Sequence, residues 1–183
     1  MLDWLQRPRP TAPMTNLSVL QQADIFVDLT PAQLNQVASV CQERSFRVGD
    51  TIFEENSASD ELYIIATGEV EILVDPSLVS DRADNPTHPT TIATLRRGQS
   101  FGEIALVDQG RRSASARSAS HDTRLLVIPR ETLMALCESD PGLGFRLMRN
   151  LAADLAIKIR NTDLMIREEL LYSQRGLRPP RAS

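Results

Sequence analysis

The hydrophobic pattern of this chain changes period twice, and that change constrains its fold more than any other feature. From Ser45 to Pro129 the apolar residues follow the period of strands; before and after this stretch they follow the period of helices. Glu61–Ala66 and Glu69–Val74 are short β-rich runs separated by Thr67-Gly68. The second alternates, which predicts Val70, Ile72 and Val74 on one side and Glu69, Glu71 and Leu73 on the other. Thr90–Leu95, Ala114–Ser118 and Arg124–Ile128 read as further strands, with Gly49-Asp50, Gly68 and Gly98 as turns. Many short strands with few helices between them predict a sandwich or barrel-like roll. Asp75–Pro89 is polar, holds three prolines and reads as a long exposed loop.

The flanks are helical. A helical pattern begins near Leu17, and a stronger one follows Thr30, a natural N-cap with Pro31 at the first helical position and Gln33 completing a capping box. Leu34, Val37, Ala38 and Cys41 then share one face, which predicts a helix over 31–43. After Pro129, Glu131–Glu138 reads as a short helix, and Asp140-Pro141 opens a long one over 141–172. Along it Phe145, Met148, Ala152, Leu155, Ile159, Thr162 and Ile166 form a seam with coiled-coil spacing. A second apolar set, Leu147, Leu151, Ile157, Leu164 and Leu171, lies on other faces. A helix apolar on two sides must bury two sides. One face on the strands and the seam on a second copy predict a homodimer through helix 141–172; coverage of both faces within one domain is the alternative. Residues 1–16 read as a flexible leader, 17–173 as one domain and 174–183 as a basic, disordered tail.

Composition narrows the function. With 42% hydrophobic and 24% charged residues the 183-residue chain can bury a sizeable core. No apolar run approaches the roughly eighteen residues of a membrane span, and Met1–Pro13 lacks the apolar region of a secretory signal. The two cysteines, Cys41 and Cys137, are far apart and belong to no metal-binding spacing, which favours a reducing cytoplasm. A net charge of −4 is a poor footprint for nucleic acid. Of the 20 basic residues only Lys158 is a lysine, an excess of arginine that reads as coding bias rather than function.

The segment that carries chemistry runs from Phe101 to Ala116. Gly102 permits a tight turn, and Glu103–Val107 can form a short helix whose first amides favour an anion. Arg112, expected on the next strand beside small Ser113 and Ala114, can grip a phosphate with two parallel charge-assisted bonds. A carboxylate near that phosphate needs another task, such as accepting from a sugar hydroxyl, so Glu103 opposite Arg112 suits a ribose phosphate.

This segment resembles the phosphate-binding cassette of cyclic nucleotide-binding domains, the sensor domains of catabolite activators and protein kinase A regulatory subunits. The likeness covers about Ile25–Tyr172 and includes Gly49-Asp50…Ile52-Phe53, Asp60–Ile65 and Gly68–Ile72. It implies a mainly β fold with flanking α: an eight-stranded, jelly-roll-like β-roll with N-terminal helices, a short cassette helix and a long C-terminal helix. It also implies that Glu103 holds the ribose 2′-hydroxyl and Arg112 the cyclic phosphate, with backbone amides around Gly102, Ala105 and Ser113 adding bonds, and Ile104 and Ala114 beside them. Ser113 suits either the phosphate or a guanine amino group, so the expected ligand is cAMP, with cGMP open. The base is expected under the last helix, from Lys158, Arg160, Asn161 and Thr162; Asn161 and Thr162 are the candidates retained, Thr162 first as the polar residue of the seam. Asn56 stands where the family usually has Gly, and Asn tolerates the left-handed conformation that turn needs.

Three functions compete. The first is a cytoplasmic regulatory protein that binds cAMP or cGMP and signals to an unidentified effector protein by repositioning its C-terminal helices. The second is an enzyme on a cupin-like roll, but His88 and His121 have no third histidine to complete a metal site, so no catalytic residue, no metal and no enzyme are expected. The third is a degenerate, nucleotide-free docking module in which Glu103 and Arg112 form a surface ion pair. Direct DNA binding is not expected, since a winged helix-turn-helix takes about sixty residues and eleven follow Tyr172.

Overall fold

A computed structural model describes residues 15–58, 60–79, 88–108 and 110–174. The expected leader, tail and much of the Asp75–Pro89 loop therefore lie outside the described residues. Among those residues, eight strands form two antiparallel four-stranded sheets. The first contains β1 (Gln42–Phe46), β8 (Thr123–Pro129), β3 (Glu61–Thr67) and β6 (Ser100–Phe101), in that order. The second contains β2 (Thr51–Phe53), β7 (Ser115–Ser118), β4 (Glu69–Val74) and β5 (Thr90–Arg96), in that order. This is the expected roll.

Strands β3 and β8 are buried on both faces, which is why they read as unbroken apolar runs. Tyr63 and Ile65 of β3 with Leu125 and Val127 of β8 point between the sheets, where they meet Val70, Leu95, Phe101 and Ala116. Leu62, Ile64, Leu126 and Ile128 point the other way and meet the helices. Those helices are α1 (Asn16–Leu20), α2 (Pro31–Val40), α4 (Arg130–Ser139) and α5 (Pro141–Gln174), with α3 (Ile104–Asp108) set into the loop after β6.

The Thr30 capping box forms as expected: Gln33 N donates to Thr30 Oγ1 at 3.3 Å and Thr30 N to Gln33 Oε1 at 3.1 Å. Gln33 then reaches across the fold, donating from Nε2 to Asp140 Oδ2 at 2.9 Å, while Asp140 Oδ1 accepts from Leu143 N at 3.0 Å. One cap thus ties the start of α2 to the start of α5.

Several expectations are corrected. Helix α2 ends at Val40, short of residue 43, because Cys41 turns extended and β1 begins at Gln42. Strand β4 keeps its alternation against β7, with Val70 and Ile72 in the core between the sheets and Leu73 buried on the opposite side, and its register shift against β5 skips Ile92 of β5. Part of the expected loop after Asp75 folds as a 3₁₀ turn, Pro76–Val79. The second apolar set of α5 divides: Leu147 and Leu151 are buried with Leu143, whereas Ile157, Leu164 and Leu171 are exposed. The described helix therefore packs on the roll through its first half only.

Leu147 is fully buried in the core that the helices share with the outer face of β3 and β8. Leu147→Ala is expected to lower stability by about 2–5 kcal/mol, measured as a shift of the urea midpoint with an unchanged slope.

Candidate functional site

Arg112 does not lie on a strand, contrary to expectation; it precedes β7 in the loop that follows α3. Its backbone is held on both sides by the turn after β2: Arg112 N donates to Ser57 O at 3.1 Å and its carbonyl accepts from Asn56 N at 2.8 Å. Asn56 has φ 63°, the left-handed conformation anticipated for it. The pinned chain directs the guanidinium inward, where the residue is only 5% exposed. Nη2 donates to the Glu61 carbonyl at 2.9 Å and Nη1 to the Gly102 carbonyl at 3.3 Å. The guanidinium carbon lies 4.2 Å from the Phe53 ring centroid and 5.4 Å from that of Tyr63. Phe53, Tyr63 and Phe101 pack together beneath it, with Tyr63 and Phe101 stacked at 5.0 Å. Burial lowers the Arg112 pKa, partly offset by Tyr63 and the acidic side chains of Asp60, Glu61 and Glu103. Its Nε is buried without a hydrogen-bond partner.

Glu103 is also 5% exposed. It follows Gly102, whose φ of 77° turns the chain out of β6 into α3. Its carboxylate meets Lys158 of α5: Nζ donates to Glu103 Oε1 at 2.9 Å and to the Ser100 carbonyl at 3.2 Å. The same ammonium pairs with Asp154 Oδ2, one turn earlier on the helix, at 2.8 Å. That oxygen is buried and has no aligned hydrogen bond, so its attraction to Lys158 is that of charge. Burial would lower the Lys158 pKa, but Glu103 and Asp154 outweigh it and hold it above the ordinary lysine value.

These groups face a cavity of about 670 Å³ between the cassette, β5 and α5. Gly102, Glu103, Ile104, Arg112, Ser113, Ala114, Asn161 and Thr162 all border it, so the structure gathers eight of the nine expected residues. Ala105 lies on α3. Ile92, Leu95 and Met165 supply an apolar wall. A smaller cleft of about 360 Å³ beside β2 and β7 carries Glu54, Glu55 and Asp75, a poor setting for an anion.

Glu103 and Arg112 form no ion pair with each other among the described residues, and neither is on the surface. The surface-pair reading of these two residues is thereby corrected. Sequence reasoning missed the aromatic trio, Asp154 and the pairing of Lys158 with Glu103. The signal was present: a bias toward arginine accounts for 19 of the basic residues but not for the one lysine.

A buried guanidinium with an unspent donor, and a buried carboxylate held apart from it, are chemically suited to a ligand carrying both an anion and a hydroxyl. Residues 43–140 match the family model of the cyclic nucleotide-binding domain, and the chain belongs to that family. The chain is 34% identical over 145 residues to the cyclic AMP receptor protein of Thermus thermophilus, covering 79% of this chain and 61% of that relative. It is 28% identical over 113 residues to human cGMP-dependent protein kinase 2, covering 62% of this chain and 14% of the kinase. A solved cyclic nucleotide-binding domain from Methylobacillus flagellatus superposes with a TM-score of 0.67 at 25% identity, covering 80% of this chain and 78% of that one. The chain spans less than two thirds of the first of these relatives.

Gly102 tests the construction of the site. A β-carbon there would collide with Arg112 Nη1 and approach the Glu61 carbonyl to 3.2 Å, at a positive φ. Gly102→Ala is expected to displace the guanidinium and weaken cyclic nucleotide binding by about tenfold or more, some 1.4 kcal/mol, in a calorimetric titration.

Proposed function

We propose that this chain is a non-enzymatic regulatory domain that binds cAMP and passes the signal to a partner protein through its C-terminal helices. The observation that carries this reading is the buried, unpartnered Nε of Arg112, a donor suited to an oxygen of a cyclic phosphate. On this reading Arg112 takes the phosphate and Glu103 the ribose 2′-hydroxyl, with the amides around Gly102, Ala105 and Ser113 completing the cradle.

Adenine over guanine is supported by Thr162. Its hydroxyl donates to the Lys158 carbonyl at 3.0 Å, so toward the cavity it offers lone pairs. Lone pairs suit the amino group of adenine and not the carbonyl oxygen that guanine carries at that position. Asn161 borders the same end of the cavity. The relative named for cyclic AMP supports the same choice.

Binding would favour one arrangement of α5 over another, a population shift that an effector protein reads. The exposed seam supports self-association: Phe145, Met148, Ile159 and Ile166 all face solvent. A second copy placed along this seam would bury it. No helix among the described residues is long and apolar enough to cross a membrane.

Titration with cAMP is expected to give micromolar or tighter binding. Arg112→Ala should lose at least about 2–3 kcal/mol of it. Thr162→Val should narrow the preference for cAMP over cGMP while leaving cGMP binding unchanged. No heat change and no shift in melting temperature with either nucleotide would leave the docking-module reading instead. Ile166→Glu is expected to convert dimer to monomer in sedimentation; a wild-type monomer at high concentration would refute the paired helix.

A further inference from the structure

Two opposite charges share one largely apolar cavity without pairing, and this needs a cause. In such surroundings a carboxylate and a guanidinium attract strongly and carry a large desolvation penalty until each is satisfied. Arg112 and Glu103 are satisfied separately. The Arg112 Nη groups are held by the Glu61 and Gly102 carbonyls and the Phe53 ring, whereas Glu103 is held on Oε1 by Lys158. Among the described residues, Lys158 is the partner that the Glu103 carboxylate has. Lys158 is itself fixed from behind by Asp154 and from the side by the Ser100 carbonyl.

We infer that Lys158 is a positioning residue: it holds Glu103 away from Arg112, so that the ribose-binding carboxylate and the phosphate-binding guanidinium remain separately available. This rests on the proposed cyclic nucleotide reading and deepens it. Without the ammonium, a strong partner remains for the buried carboxylate in the Arg112 guanidinium, which already feels the Glu103 charge and has an unspent Nε–H. A Glu103 turned onto Arg112 would occupy the donors that a phosphate needs. The position of α5 thereby governs the phosphate end of the site, although its lysine does not touch that end.

The test compares cAMP with 2′-deoxy-cAMP, which lacks the hydroxyl that Glu103 would accept. In calorimetric titrations Lys158→Met is expected to weaken both nucleotides by about tenfold or more, the order seen when a buried charge loses its partner. Adding Glu103→Gln to Lys158→Met removes the competing charge. The double variant is expected to recover 2′-deoxy-cAMP binding to within about threefold of wild type without recovering the preference for cAMP. Lys158→Arg, which keeps the charge, should retain both affinities, and melting curves of all variants establish that they are folded.

If Lys158→Met weakens cAMP alone and leaves 2′-deoxy-cAMP unchanged, Lys158 is a direct ribose contact and the inference is overturned. It is equally overturned if both affinities are unchanged, or if Glu103→Gln restores nothing. Failure of the wild type to bind either nucleotide would overturn the cyclic nucleotide reading itself, and the role of Lys158 with it.

Discussion

Burying a guanidinium at the mouth of an apolar roll imposes conditions on most of the surrounding chain. Arg112 keeps its charge only if its donors find acceptors and its faces find polarisable surface. The acceptors come from the backbone of β3 at Glu61 and from the turn at Gly102, and the surface comes from Phe53. Each of these in turn depends on strand register. The β3–β6 pairing of Tyr63 with Phe101 sets the Gly102 turn beside Arg112, and the β2–β7 pairing of Phe53 with Ala116 brings the ring beneath it. The site is therefore a property of how both sheets meet.

Behind the guanidinium a second set of charges braces the same strand. The Glu61 side chain accepts from Tyr63 Oη at 2.6 Å and from Arg44 Nη1 of β1 at 3.0 Å. Burial would raise the Glu61 pKa, but hydrogen bonds from Arg44 and Tyr63 outweigh it and hold the carboxyl below its ordinary value. Burial and the bond to Glu61 push the Tyr63 phenol up. The residue whose carbonyl receives Arg112 is thus fixed through its side chain as well. Arg44 is partly exposed, so its ion pair adds modest stability; its effect is to orient Glu61.

What was legible in the sequence follows from how strongly each element is buried. Strands β3 and β8, buried on both faces, stood out as apolar runs, and the Thr30 cap followed from local chemistry alone, whereas the Asn56 turn came with the family resemblance. Strand β1 is nearly all exposed and β6 has two residues, so neither carries a periodic signal, and the end of α2 was overrun into β1. The irregularity at Ile92 of β5, opposite Ile72 and Leu73, follows from strand pairing, which no single-strand pattern encodes. At the site, Glu103 and Arg112 were legible because a ribose phosphate needs both charges. Lys158 stood out only as the single lysine, and its pairing with Glu103 was not legible because it depends on a contact across 55 residues of chain.

That contact also divides the last helix by the kind of force that holds it. Up to Leu151, α5 is held by burial of Leu143, Leu147 and Leu151, which is insensitive to what occupies the cavity. At Lys158 it is held by charge, on a carboxylate that borders the cavity. From Ile159 to Leu171 the side chains described are exposed, so beyond Lys158 the roll adds little to hold the helix. A motion of α5 coupled to the cavity would begin after Leu151, since packing there no longer fixes the helix and the ion pair can be weakened without opening the core. On the proposed reading the hydrophobic anchor would keep the helix attached, and the ion pair would make its outer half responsive. A helix packed by leucine along its whole length would lose that response, and one held by charge alone would lose its place on the roll.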